Sequence, residues 1–162
     1  RRYDKEKYLS LVEKIRRAIP DISLTTDIIV GFPGETEEDF RETLDVVEKA
    51  GYDTAFTFLY SKRTGTPAAK MEDQIPEDVA KERFGRLLSL VQEKGRERSS
   101  RFTGTVQEVL VEEESKEKGV FTGRTQYNLL VHFPADESLL GKYVNVKLEE
   151  CRGFYYLGSL AG

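Results

Sequence analysis

The sequence predicts an α/β segment followed by an all-β segment, the two joined by one long helix. Three observations lead there. Apolar residues switch between helical and strand spacing up to residue 60, one helical pattern runs from Pro76 to about Arg101, and five short alternating segments fill the chain after Phe102.

Taken in order, Tyr8, Leu11, Val12, Ile15 and Ile19 recur at helical spacing and Pro20 ends the run, which places a first helix from Asp4 to Ile19. A strand follows from Ile22 to Val30. Side chains alternate along a strand, so Ile22, Leu24, Thr26, Ile28 and Val30 share a face expected to pack, while Ser23, Thr25, Asp27, Ile29 and Gly31 share one free to bind. Thr36-Glu37-Glu38-Asp39 has the form of a capping box, opening a second helix that buries Phe40, Leu44 and Val47 and stops at Gly51. Thr54 to Tyr60, rich in aromatics and threonine, is expected as a parallel partner strand.

After a loop from Ser61 to Ile75, Pro76 suits the first turn of the long helix, with Glu77 and Asp78 near its positive end and Val79, Phe84, Leu87, Leu88 and Val91 on its inner face. Past Gln92 the apolar pattern gives way to Lys94, Arg96, Arg98 and Arg101, which reads as a solvated linker whose cations complement the helix dipole. The domain boundary is expected there, dividing the chain into residues 1–98 and 99–162. Val106 to Val111, Val120 to Gln126, Asn128 to Phe133, Tyr143 to Leu148 and Phe154 to Leu160 are the strands of a small five-stranded β-barrel, with glycines at 104, 119, 123, 141, 153 and 158 near strand ends or bends.

At 162 residues the chain has room for one ordinary domain or two small ones. A net charge of -4 argues against non-specific coating of nucleic acid but leaves room for local basic patches. No apolar run approaches the roughly 18 residues that cross a bilayer, and the first residues lack a signal-peptide core, so no membrane partner is expected. Cys151 is the single cysteine and no Cys/His cluster has metal-ligand spacing. A reducing, cytoplasmic setting with no self-contained metal site follows.

Asp27 is the first candidate site residue. A carboxylate just before a strand-ending turn needs a partner or a ligand, and α/β sheets place ligands at the carboxyl ends of their strands; pairing with a Lys or Arg of a neighbouring strand is the alternative. The Gly31-Phe32-Pro33-Gly34 turn lacks the features of a triphosphate-binding loop, whereas a carboxylate for ribose hydroxyls beside the apolar Ile29 suits an adenosine moiety. His132, the only histidine, reads as a surface or pocket residue, and Cys151 as a packing residue. In the barrel Arg124, Tyr127, Asn128, Phe154, Tyr155 and Tyr156 are the groups available for RNA, provided that Glu112-Glu113-Glu114 face away from it.

Thr26 to Thr36, Phe56 to Ser61 and Arg63 to Met71 together resemble the tRNA methylthiotransferases of the radical S-adenosylmethionine superfamily, the MiaB branch, and the tail from about residue 99 resembles that family's RNA-binding TRAM domain. The resemblance implies that the first part is the C-terminal portion of a partial TIM-type (β/α) barrel. It implies that Asp27, Ile29, Phe58 and Tyr60 line the S-adenosylmethionine pocket, and that Lys62, Arg63, Arg124 and Tyr127 face a tRNA anticodon stem-loop. No DNA is implied as a partner.

The family also uses two 4Fe-4S clusters, one on a Cys-x3-Cys-x2-Cys loop, with sulfur and electron donors. Those cysteines are absent from this chain. It is therefore expected to be the C-terminal portion of such an enzyme and inert alone. The related methylthiotransferases acting on a ribosomal-protein aspartate or on threonylcarbamoyladenosine, and a stand-alone RNA-binding module, are the alternatives.

Overall fold

A computed structural model describes residues 3–162, and the chain falls into two compact units, Arg1–Lys94 and Gly95–Gly162. Among the described residues, no helix is long and apolar enough to cross a membrane.

The first unit runs α1 (Lys5–Ala18), β1 (Thr25–Val30), α2 (Glu37–Ala50), β2 (Thr54–Leu59) and then α3 (Glu77–Ser100), whose last turns belong to the second unit. Asp4 caps α1 by accepting the Lys7 N–H at 2.9 Å. The expected capping box opens α2: the Thr36 hydroxyl accepts the Asp39 N–H, and the Asp39 carboxylate accepts the Thr36 N–H. Gly51 ends that helix in the left-handed region at φ 54°. Strands β1 and β2 pair in parallel, and Val12, Val30, Phe40, Val47, Ala50, Tyr52 and Leu87 form the core on one side of them.

Helix facing departs from the periodic reading at two places. In α1 Leu11 is 52% exposed and Leu9 packs instead, and Ile19, just past the helix end, is exposed as well; in α3 Leu88 is exposed and Leu90 packs with Leu87 and the expected Val91. Each helix meets the core along a stripe set by its neighbours, and the periodic pattern alone gives a wider one.

The second unit is a closed barrel, in the order β3 (Val106–Glu114), β4 (Val120–Thr125), β5 (Leu130–Pro134), β7 (Tyr155–Leu160), β6 (Tyr143–Cys151). Only the β5–β7 pair is parallel. Phe102, Val109, Val111, Phe121, Val131, Phe133, Val146, Leu148 and Tyr156 fill it. Gly123 and Gly158 lie inside strands, where a Cβ would come within 2.5 Å of the carbonyl oxygens of Leu110 and Lys147. Each faces a strand whose register shifts nearby, so these two glycines permit the close approach at a bulge that bends a small barrel shut.

The basic end of α3 is docked on this barrel, contrary to the solvated linker expected. Tyr156 Oη donates to the Ser99 carbonyl at 2.5 Å, and the Arg101 guanidinium lies 4.2 Å from the Phe102 ring centroid, which stacks on Tyr127 at 4.6 Å. Arginine stems cover apolar surface while their heads keep polar contacts.

Candidate nucleoside and nucleic-acid sites

Parallel pairing sets Asp27 beside Phe56 and Ile29 beside Phe58, on the sheet face opposite the core. That face is open: Ile29, Phe56 and Phe58 are each more than half exposed. The carboxyl ends of β1 and β2 continue into a concavity of about 520 Å³, lined by Asp27, Ile29, Phe32, Phe58, Tyr60 and Arg63 among others. The four residues implied for the cofactor, Asp27, Ile29, Phe58 and Tyr60, thus line one hollow. An exposed apolar patch bounded by a carboxylate marks a ligand or interaction surface.

Tyr60 hydrogen-bonds by its N–H to the Val30 carbonyl at 2.8 Å, and its ring meets Phe32 edge-on at 5.3 Å. Its hydroxyl is buried and has no hydrogen-bond partner. A buried phenol left without a partner is costly, which sets this hydroxyl apart from the satisfied polar groups around it.

A buried ion pair fixes the turn above the hollow. Arg83 of α3, 6% exposed, donates through Nη1 to the Glu35 carbonyl at 2.8 Å and to Glu35 Oε1 at 3.0 Å, and the same Oε1 accepts the Gly31 N–H at 3.2 Å. The Asp73 carbonyl accepts the Gly34 N–H at 2.9 Å from the other side. The Gly-Pro-Gly segment is held by side chains far along the sequence, and its own composition supplies only the bend. Phe32, Phe56 and the Glu35–Arg83 pair were missed by the sequence analysis; two-residue alternation from Phe58 already pointed to Phe56.

Lys62 and Arg63 are exposed on the loop after β2, Arg63 at the edge of the hollow. The Arg63 carbonyl accepts the Thr66 hydroxyl at 2.8 Å, which closes a tight turn. On the barrel, Arg124 is exposed and donates through Nε to Glu112 at 3.2 Å and through Nη1 to Asn128 at 3.1 Å. Glu112 therefore does not face away from the cationic site as expected; it holds Arg124. Tyr127 is half-buried against Phe102, and Tyr156, counted among the groups available for RNA, is fully buried in the core. Alternation along β7 sends Tyr155 outward and Tyr156 inward.

Residues 1–47 match the family model of the Radical SAM superfamily, and residues 100–161 match that of the TRAM domain. Along 99% of its length the chain is 59% identical to the tRNA-2-methylthio-N(6)-dimethylallyladenosine synthases of Lachnoclostridium phytofermentans and Acetivibrio thermocellus, covering 35% and 34% of those proteins. The corresponding protein of Alkaliphilus oremlandii is 57% identical over 99% of the chain, which covers 34% of it. The chain thus spans about a third of the length of the curated relatives it matches.

Proposed function

We propose that this chain, which joins a Radical SAM segment to a TRAM domain, is the C-terminal part of a cytoplasmic tRNA methylthiotransferase that adds a methylthio group to the N6-modified adenosine next to the anticodon. The observation that carries the reading is the open face of β1 and β2, where a carboxylate, two apolar side chains and a partnerless buried phenol line one hollow beside a clamped glycine turn. The residues fit S-adenosylmethionine. Asp27 would accept its ribose hydroxyls, Ile29 and Phe58 would contact the adenine, and the Tyr60 hydroxyl would find its partner on the ligand. When bound, the cofactor supplies the adenosyl group on which the superfamily's radical chemistry draws.

Arg63, at the mouth of the hollow, and Lys62 beside it on the same loop would meet the RNA backbone near the base being modified, and Arg124 would hold a stem-loop phosphate, with Tyr127 shaping the turn beside it. We keep the functional boundary at 98/99, so that the second domain begins one residue ahead of the TRAM match. Among the described residues no group of three His, Cys, Asp or Glu side chains could hold a metal ion. The chain offers no ligand set for a 4Fe-4S cluster, so the two clusters, and the docking of sulfur and electron donors, are assigned to other parts of a longer protein. The 162-residue chain alone is therefore expected to transfer no methylthio group.

Equilibrium binding to the full-length enzyme tests the cofactor assignment. Asp27→Asn weakens S-adenosylmethionine about tenfold, the scale of one charge-assisted hydrogen bond, and leaves stem-loop affinity unchanged. Equal cofactor affinity in variant and parent would remove Asp27 from the site.

A further inference from the structure

The registers of the barrel bring a second set of groups onto the face that carries Arg124. Arg124 pairs with Leu130, and Leu130 with Tyr155; one step along, Thr122 pairs with His132, and His132 with Leu157. These are two outward rows across β4, β5 and β7, since Val131 and Tyr156 between them, and Phe121 and Phe133 beyond the second, fill the core. The second row and Tyr155 line a groove of about 490 Å³.

Thr122 lies at the groove floor, only 5% exposed, and its hydroxyl is 2.9 Å from His132 Nδ1. That contact leaves Nε2 as the polar atom His132 offers to a ligand. The imidazole meets the Tyr155 ring edge-on at 5.2 Å, and Tyr155 and Leu157, each about a third exposed, give the groove an apolar wall. Two carboxylates, Glu113 and Glu117, and one cation, Lys116, stand on the rim, and this net negative edge disfavours a phosphate inside the groove. A flat, uncharged heteroaromatic ring satisfies all of these groups. Arg124 stands two strands from Tyr155, roughly 10 Å away, close enough for neighbouring nucleotides of one strand to reach both.

We infer that the β4–β5–β7 face takes an unpaired base of the RNA, stacked on Tyr155 and hydrogen-bonded at its edge to His132 Nε2, while Arg124 holds an adjoining phosphate. The inference rests on the RNA-binding reading of the barrel and adds which groups read a base and which hold the backbone.

Titration of the full-length protein with a synthetic anticodon stem-loop, at several salt concentrations, tests it. Tyr155→Ala weakens binding about tenfold with an unchanged salt slope, and Tyr155→Phe keeps nearly parental affinity, because stacking needs the ring and not the hydroxyl. Arg124→Ala lowers the slope by about one. Parental affinity in a folded Tyr155→Ala chain, or a slope changed as by Arg124→Ala, would overturn the inference while leaving the RNA reading intact. If the parent protein binds no stem-loop, the RNA reading itself fails. Should Tyr155→Ala not fold, photo-crosslinking of a 4-thiouridine stem-loop to the parent protein decides: adducts within residues 130–132 or 155–157 support the base site, and adducts only elsewhere overturn it.

Discussion

The barrel and the β1–β2 layer cover their strands in opposite ways. The barrel closes on itself, so nine large side chains and close-approach glycines consume its inner face and leave no strand edge. The β1–β2 pair is packed on one side only, and its other face presents Ile29, Phe56 and Phe58 to solvent. In the barrel, apolar side chains provide stability, and binding is left to the outside. On the open layer, Ile29, Phe56 and Phe58 stay more than half exposed and bury little area within the unit.

The largest expected effect separates these two kinds of phenylalanine. Phe133→Ala empties a fully buried position and costs about 4 kcal/mol, whereas Phe58→Ala changes stability by no more than about 0.5 kcal/mol, as measured by denaturant unfolding with hydrogen exchange to assign each unit. A comparable loss from Phe58→Ala would mean that the open face is a structural core.

Next comes the clamp on the turn. Arg83→Ala leaves the Glu35 carboxylate buried without its cation and costs about 3 kcal/mol, with faster exchange at Gly31 and Glu35. Unchanged exchange there would show that the turn holds itself. This change also sharpens the contrast, because the Arg124–Glu112 and Arg152–Glu150 pairs of the barrel lie on its exposed surface, so variants of its apolar core should show no comparable electrostatic component.

The smallest effect is on acid stability. The Thr36 N–H and hydroxyl hold Asp39 below the usual carboxylate range, Arg86 does the same for Glu37, and Lys49 followed by Lys5 for Asp45. Carboxyls with depressed folded values add stability that is complete above their ordinary values, near 4, and is lost as pH falls through the lower folded ones. The barrel has one such group, Asp136, held down by Ser138. Acid therefore loosens the α2 region before the barrel. The same order of loss across both units, followed by residue-resolved exchange from pH 6 to pH 3, would contradict that.

Much of the fold was legible because it is written locally. The Thr36–Asp39 box, the Gly51 stop and the alternation through Asp27 and Ile29 each depend on a few adjacent residues. What was not legible depends on partners far along the chain. Whether Leu88 or Leu90 faces inward is decided by β1 and α2, and whether Arg101 is solvated is decided by Phe102 and Tyr127. The pairing of Glu35 with Arg83 spans 48 residues. Glu112 is expected from sequence to face away from the RNA because a carboxylate repels a polyanion, but Arg124 pairs with Leu110 and Glu112, at the bulge two residues on, reaches its guanidinium. The candidate hollow is legible through alternation, which gives Asp27 and Ile29 on one strand and points from Phe58 to Phe56 on the other; that the two pairs lie side by side depends on the β1–β2 register.

The most direct test is hydrogen exchange on the full-length protein with each ligand added separately. S-adenosylmethionine should slow exchange around residues 27–32 and 56–61 and leave the barrel unchanged, while an anticodon stem-loop should slow it around 61–66, 120–132 and 154–157. Protection of the barrel by S-adenosylmethionine, or no protection of β1 and β2 by it, would contradict the division of one chain into a nucleoside-holding face and an RNA-holding barrel.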